Sequence, residues 1–282
     1  MSRLQALPLL RILHAAAAMV VVVTGCLLPG IARAHGDLDL QISVVSLELK
    51  QAPTALLYLK RAELHHEHED FAAALADYDR AAKLDPQLDV IGFNRARTLF
   101  RSGQLSPARE ALDTYLKKQP RHAEAFRLRA RVLVGLKNYA AAVADFDRNL
   151  TLASQPQPET FLERADALLA TGEKSRAVTS LDQGIERLGN LVTLQSAAIA
   201  LELDLHRYDA ALARVDRVMS SLQRKETWLA RRGEILETDG RPEEARRAYR
   251  DALGALERLP AQHRNGAPMR ALEARLREHL GT

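Results

Sequence analysis

One feature constrains this chain above all others: it repeats itself at a fixed interval. Tyr58, Ala62, Phe71, Ala74, Tyr78, Ala81 and Pro86 are followed one period on by Ala96, Leu99, Leu105, Ala108, Leu112 and Pro120. The next period brings Phe126, Ala130, Leu133, Tyr139, Ala142 and Phe146. An extra residue near Ser154–Pro158 shifts the frame, after which come Phe161, Ala165, Leu168, Ala177 and Leu181. Ile199, Tyr208, Ala211 and Val215 mark a fifth unit, and Leu229, Gly233, Leu236, Ala245 and Tyr249 a sixth. Units start at 55, 89, 123, 158, 192 and 226, with spacings of 34, 34, 35, 34 and 34. A period of this length means stacked supersecondary units, none of which buries its apolar face alone.

Within each unit the apolar residues recur three and four apart, the helical period. Ala62, Ala96, Ala130 and Ala165 in the first half, and Ala74, Ala108, Ala142, Ala177, Ala211 and Ala245 in the second, let two helices approach closely. Gly103, Gly172 and Gly240 stand between the halves, where a left-handed cap is wanted. Pro86 and Pro120 close units, since proline cannot continue a helix. The pattern resembles the tetratricopeptide repeat (TPR), a helix-turn-helix of 34 residues, over residues 55 to about 259. That resemblance implies an all-α fold, an α-α superhelix (TPR solenoid) of six repeats with capping helices. Three places depart from the family pattern: Gly92 where a large aromatic is usual, Arg61 where an aliphatic is usual, and a fifth unit degenerate in its first helix.

Solenoid ends need covers. Residues 35–54 read as an N-terminal cap, with a helix from Leu38 to Leu49 and Asp37 as its N-cap. Repeats fill 55–260, and 261–282 read as a C-terminal cap. There Pro268 opens a helix carrying Met269, Leu272, Leu276 and Leu280 at helical spacing. The connector from Leu259 to Ala267 reads as a loop.

Residues 1–34 read as a secretory signal peptide: Arg3 and Arg11, an uncharged run from Ala15 to Leu28, then Ala32-Arg33-Ala34 as the cleavage site. The run spans about 21 Å as a helix, short of a ~30 Å hydrocarbon core. Cleavage after Ala34 sends the protein to the periplasm or beyond. Val23-Thr24-Gly25-Cys26 offers an alternative, a lipobox that would acylate Cys26. The apolar continuation Leu27–Ile31, unlike a polar tether, favours cleavage. The 32 Arg against 8 Lys fit the coding bias of a GC-rich bacterium.

Composition then excludes several functions. The single cysteine rules out a disulfide framework and any cysteine-based zinc site. The formal charge of +4 is concentrated in the leader, and beyond residue 34 the chain holds 37 basic against 36 acidic residues. A neutral body with few aromatics argues against a nucleic-acid partner. No nucleophile elbow, P-loop, dinucleotide fingerprint or zincin motif occurs, so the chain reads as non-catalytic and calls for no cofactor.

Two places could carry function. His65, His66, His68 and Glu69 have the donor chemistry of a zinc or copper site. Against that, His65 occupies the slot of Leu99, Leu133 and Leu168, which implies packing. The second place follows from the resemblance, in which positions 2, 5, 9 and 12 of each first helix line a concave groove. They give Leu59 and Glu63, then Phe93, Arg97 and Phe100, then Glu124, Arg127 and Arg131, then Glu159, Leu162 and Asp166, and Glu234 in the last unit. Leu59, Phe93, Arg97, Phe100, Arg127, Arg131, Leu162 and Asp166 are the expected partner-binding residues, since arginines and aromatics are common binding anchors. The carboxylate clamp of some TPR proteins does not carry over: Asn94 fits one slot, but Leu59 and Glu63 occupy others. The expectation is an adaptor of the bacterial envelope that binds a peptide or protein partner. Metal binding at His65–Asp70 and a lipoprotein acylated at Cys26 are the alternatives.

Overall fold

A computed structural model describes residues 29–281, with side chains from Asp37 onward. The leader's apolar run and Cys26 lie outside the described residues. Fifteen helices, and no strand, make up the described chain. It divides into two compact units, one ending at Thr171 and the other beginning at Gly172.

The first unit holds α1 (Pro29–Gln51), α2 (Ala55–Glu67), α3 (Phe71–Leu84), α4 (Val90–Arg101), α5 (Leu105–Lys118), α6 (Ala123–Gly135), α7 (Tyr139–Leu152) and α8 (Pro158–Ala170). Helices pair as hairpins, α2 with α3, α4 with α5 and α6 with α7, and each hairpin packs on the next. The alanines set the closeness of these pairs: Ala62, Ala74, Ala96, Ala108, Ala130 and Ala142 are all fully buried. Tyr78, Leu112 and Phe146 fill the wider gaps between them. At two departures from the family pattern, neighbours supply what is missing. Gly92 has no side chain because the ring of Tyr115 lies there, 3.2 Å from where a Cβ would sit. Arg61 is held by a bidentate pair with buried Asp77, at 2.6 and 2.9 Å, and by Ser46 of α1 at 3.0 Å. Arg129 repeats that arrangement two units on, with Asp145 at 2.7 and 2.8 Å.

Helix α1 corrects the expected cap. In the uncleaved chain it begins at Pro29, so Asp37 lies inside the helix and is no N-cap there; cleavage after Ala34 would remove its first six residues. Proline suits that first position, where an N–H would have no partner within the helix. Val45 and Leu49 are buried, while Leu40, Val44 and Leu47 stay exposed on the other face.

The second unit holds α9 (Lys174–Leu188), α10 (Val192–Asp204), α11 (Tyr208–Ser220), α12 (Glu226–Thr238), α13 (Pro242–Glu257), α14 (Ala261–Arg264) and α15 (Ala267–Leu280). The degenerate fifth unit has a complete first helix: α10 buries seven residues, among them Gln195 and Glu202. A helix covered on so much of its surface has no reason to show an amphipathic stripe. The connector after Leu259 is not all loop, because Ala261–Arg264 close one helical turn. Beyond it α15 packs on α13, burying Leu272 and Leu276.

Candidate partner-binding groove

Helices α4 and α6 stand side by side and open a cleft of about 390 Å³ between them. Phe93, Arg97, Phe100 and Arg101 line one wall, and Glu124, Arg127, Leu128 and Arg131 the other. Phe93 is fixed by edge contacts with His122 (centroids 4.8 Å apart) and a tilted contact with Tyr115 (5.8 Å). Phe100 lies under the Arg131 guanidinium, 5.1 Å from its centre, a cation–π contact.

The four arginines are not equivalent. Arg101 pairs with Glu69 at 2.7 Å. Arg127 and Arg131 share one carboxylate, Glu163 of α8, at 3.1 and 3.5 Å. Arg97 has no such partner: its Nε–H is buried without a hydrogen-bond acceptor, and no carboxylate among the described residues forms an ion pair with it. A buried N–H left unpaired costs free energy that an incoming acceptor would recover.

Five of the eight expected groove residues thus meet in one cleft: Phe93, Arg97, Phe100, Arg127 and Arg131. The other three do not join it. Leu59 is buried in the first core cluster with Ala62, Ala74 and Tyr78, because the hairpin needs an apolar side chain there more than a partner does. Leu162 and Asp166 sit on α8, partly buried, and do not line the cleft. Asn94 is also buried and donates to Glu63 at 2.7 Å. Sequence reasoning missed Glu163, Arg101 and Leu128. A usable signal existed for the charged pairs, because first helices of successive repeats are neighbours. Residues 31 to 36 apart therefore meet, as in Glu63–Asn94, Glu69–Arg101 and Arg127–Glu163.

The histidine cluster disperses. His65 faces Asp70 at 3.8 Å, His68 faces Asp39 of α1 at 3.2 Å, and Glu69 turns to Arg101. His66 is buried, with Nδ1 2.7 Å from the Thr98 hydroxyl and Nε2 3.4 Å from Arg101. The Thr98 hydroxyl donates to Asn94 O at 3.1 Å, so Nδ1 is the donor and Nε2 receives Arg101. That tautomer is neutral, and burial, helped by Arg97 and Arg101, lowers the pKa of His66. Among the described residues no three potential metal ligands converge.

A larger cleft of about 480 Å³ lies beside Gly92 and Tyr115. Its two cations are paired, Lys118 with Asp89 and Arg95 with Asp79, while Asp85 and Glu110 add carboxylates to its lining. It therefore offers no free cation to an acidic partner, unlike the arginine cleft.

Two family profiles match the chain: the tetratricopeptide repeat at residues 65–132 and the tetratricopeptide repeat-like domain at 176–271. Together they span more than half of it. The chain is a TPR protein. Solved structures agree on the fold. The C-terminal part of a TPR repeat-containing protein from Cytophaga hutchinsonii superposes with a TM-score of 0.64 at 14% identity, covering 78% of this chain and 90% of that one. A TPR protein from Parabacteroides merdae gives 0.53 at 19% identity, covering 88% and 93%. YrrB, described as a TPR protein with an unusual peptide-binding site, gives 0.50 at 16%, covering 71% and 97%. TPR proteins are typically non-catalytic and commonly bind protein or peptide partners, so this fold is one of interaction scaffolds.

Proposed function

We propose that this TPR protein is a non-catalytic adaptor of the bacterial cell envelope that holds a peptide or a segment of a protein partner in the Phe93–Arg131 cleft. The observation that carries the reading is Arg97, a cation with a buried, unpaired N–H set between two phenylalanines. A partner carboxylate would complete that group by a charge-assisted hydrogen bond, and Phe93 and Phe100 would take an adjacent apolar side chain. The peptide-binding site attributed to YrrB supports the general mode. Export rests on the leader of residues 1–34.

The test is cross-linking capture from native envelopes, with wild type against Arg97→Glu and the triple variant Arg97→Glu, Arg127→Glu, Arg131→Glu. The expected result is a partner weakened at least about tenfold by the single change and lost in the triple one. Undiminished capture by a folded triple variant overturns the cleft. The intact mass of the exported protein gives the address: a chain starting at His35 supports cleavage, and an acylated Cys26 replaces it with a lipid anchor.

A further inference from the structure

The second unit carries an arginine–aromatic site of its own, and the cap helix helps build it. We propose that α12 and α15 form a second anchor site, which takes an apolar side chain flanked by a carboxylate from an acidic peptide segment. The cleft measures about 250 Å³ and opens beside Trp228, Arg231 and Glu234 of α12 and Arg275 of α15. That is below the range of pockets for drug-sized ligands, and it suits one side chain. Its floor is apolar, since Ile199 and Ala230 are buried and Trp228 packs against the core beneath.

Charge complementarity selects the occupant. Arg231 lies 2.8 Å from Glu234, and Arg275 lies 3.7 Å from the same carboxylate. Two cations share one anion, so the rim keeps a net positive charge. Glu237, one turn on, is already engaged by Tyr249 at 2.7 Å and His279 at 3.3 Å. Glu234 is a positioning residue that holds both guanidiniums beside the cleft. A lid needs only the inward Leu272 and Leu276, and Arg275 adds a binding group beside them. Tryptophan and arginine are the residues most enriched at binding hot spots. This site needs nothing from the first cleft and stands whether or not that cleft binds.

Trp228 is the chain's single tryptophan, so its fluorescence reports this site directly. The probe is a blocked hexapeptide, Glu-Asp-Leu-Phe-Glu-Asp, with Gln-Asn-Leu-Phe-Gln-Asn as the neutral control. The expected result is a saturable shift in Trp228 emission with the acidic peptide, about tenfold weaker for the control and for Arg275→Glu, and largely retained in Arg275→Lys. Arg97→Glu leaves it unchanged. No saturable shift, or one that survives Arg275→Glu in protein of wild-type helicity, overturns the proposal. A shift abolished by Arg97→Glu instead assigns the peptide to the first cleft and also overturns it.

Discussion

The turn inside each repeat has one residue in the left-handed region, and half of the repeats put the wrong residue there. Gly103, Gly172 and Gly240 have φ of 78°, 82° and 76°. The equivalent residues of the first, third and fifth repeats are Glu69, Lys137 and His206, at φ of 63°, 61° and 56°. An L-residue in this region costs roughly 1–2 kcal/mol, of which glycine gives back roughly 0.5–1 kcal/mol through its greater loss of chain entropy. Lys137→Gly should therefore stabilise by about 0.5–1 kcal/mol. It is the cleanest site, because Glu69 would lose its 2.7 Å pair with Arg101 and His206 its 3.0 Å contact with the Tyr208 hydroxyl. The reverse change, Gly103→Ala, meets no atom within 4 Å, so its cost of about 1 kcal/mol comes from the backbone alone. Thermal unfolding measures both, and the gain at Lys137 should raise Tm by roughly 1–3 °C. A lower Tm for Lys137→Gly, or no loss for Gly103→Ala, would refute the account of the turn.

Three further changes test the packing and the charges. Burial lowers the pKa of His65, His66 and His122. The unfolded chain then binds protons first as pH falls below about 6.5, so stability is fully present above that value and is lost on acidification toward the folded pKa values. Urea midpoints across that window should fall with pH, and less steeply in His66→Gln. Asp77→Ala strands the Arg61 guanidinium beside a buried gap; it should cost roughly 3 kcal/mol in chemical denaturation, and less than about 1 kcal/mol would mean the pair is solvated. Gly233→Ala places a methyl 2.4 Å from the Tyr249 ring, which is stacked on His279 and cannot swing away. It should cost about 1–3 kcal/mol by overpacking, read as a drop in Tm.

What the sequence made legible was what the repeat makes periodic. The second-helix alanines and the large apolar residues beside them return each period, and glycine returns at alternate turns, because each hairpin faces the same neighbours. What escaped was aperiodic. Glu69, Lys137 and His206 hold a left-handed turn with no glycine to announce it. Helix α10 buries a glutamine and a glutamate, so its sequence looks degenerate while its helix is complete. Leu59 matches a groove position by count, yet the end hairpin draws it into the core. The start of α1 and the short α14 depend on chain that the repeat does not govern.

The groove's charge is the other quantity that reading helix by helix distorts. Three arginines at groove positions look like a strongly cationic surface, but two of them lean on Glu163, and only Arg97 remains uncompensated. If free positive charge governs the hold on an acidic partner, Glu163→Gln should release Arg127 and Arg131 and tighten binding several-fold, with a steeper loss on added salt. Glu163 is about four-fifths buried and both its oxygens face guanidiniums, so the amide fills the same space but turns its NH2, a donor, toward one of those arginines, which helps release it. Titration of the captured partner against wild type and Glu163→Gln at two salt concentrations decides it. Weaker binding in the variant would mean that Glu163 matters as the brace that aims the two arginines, and that geometry rather than net charge sets the affinity of the cleft.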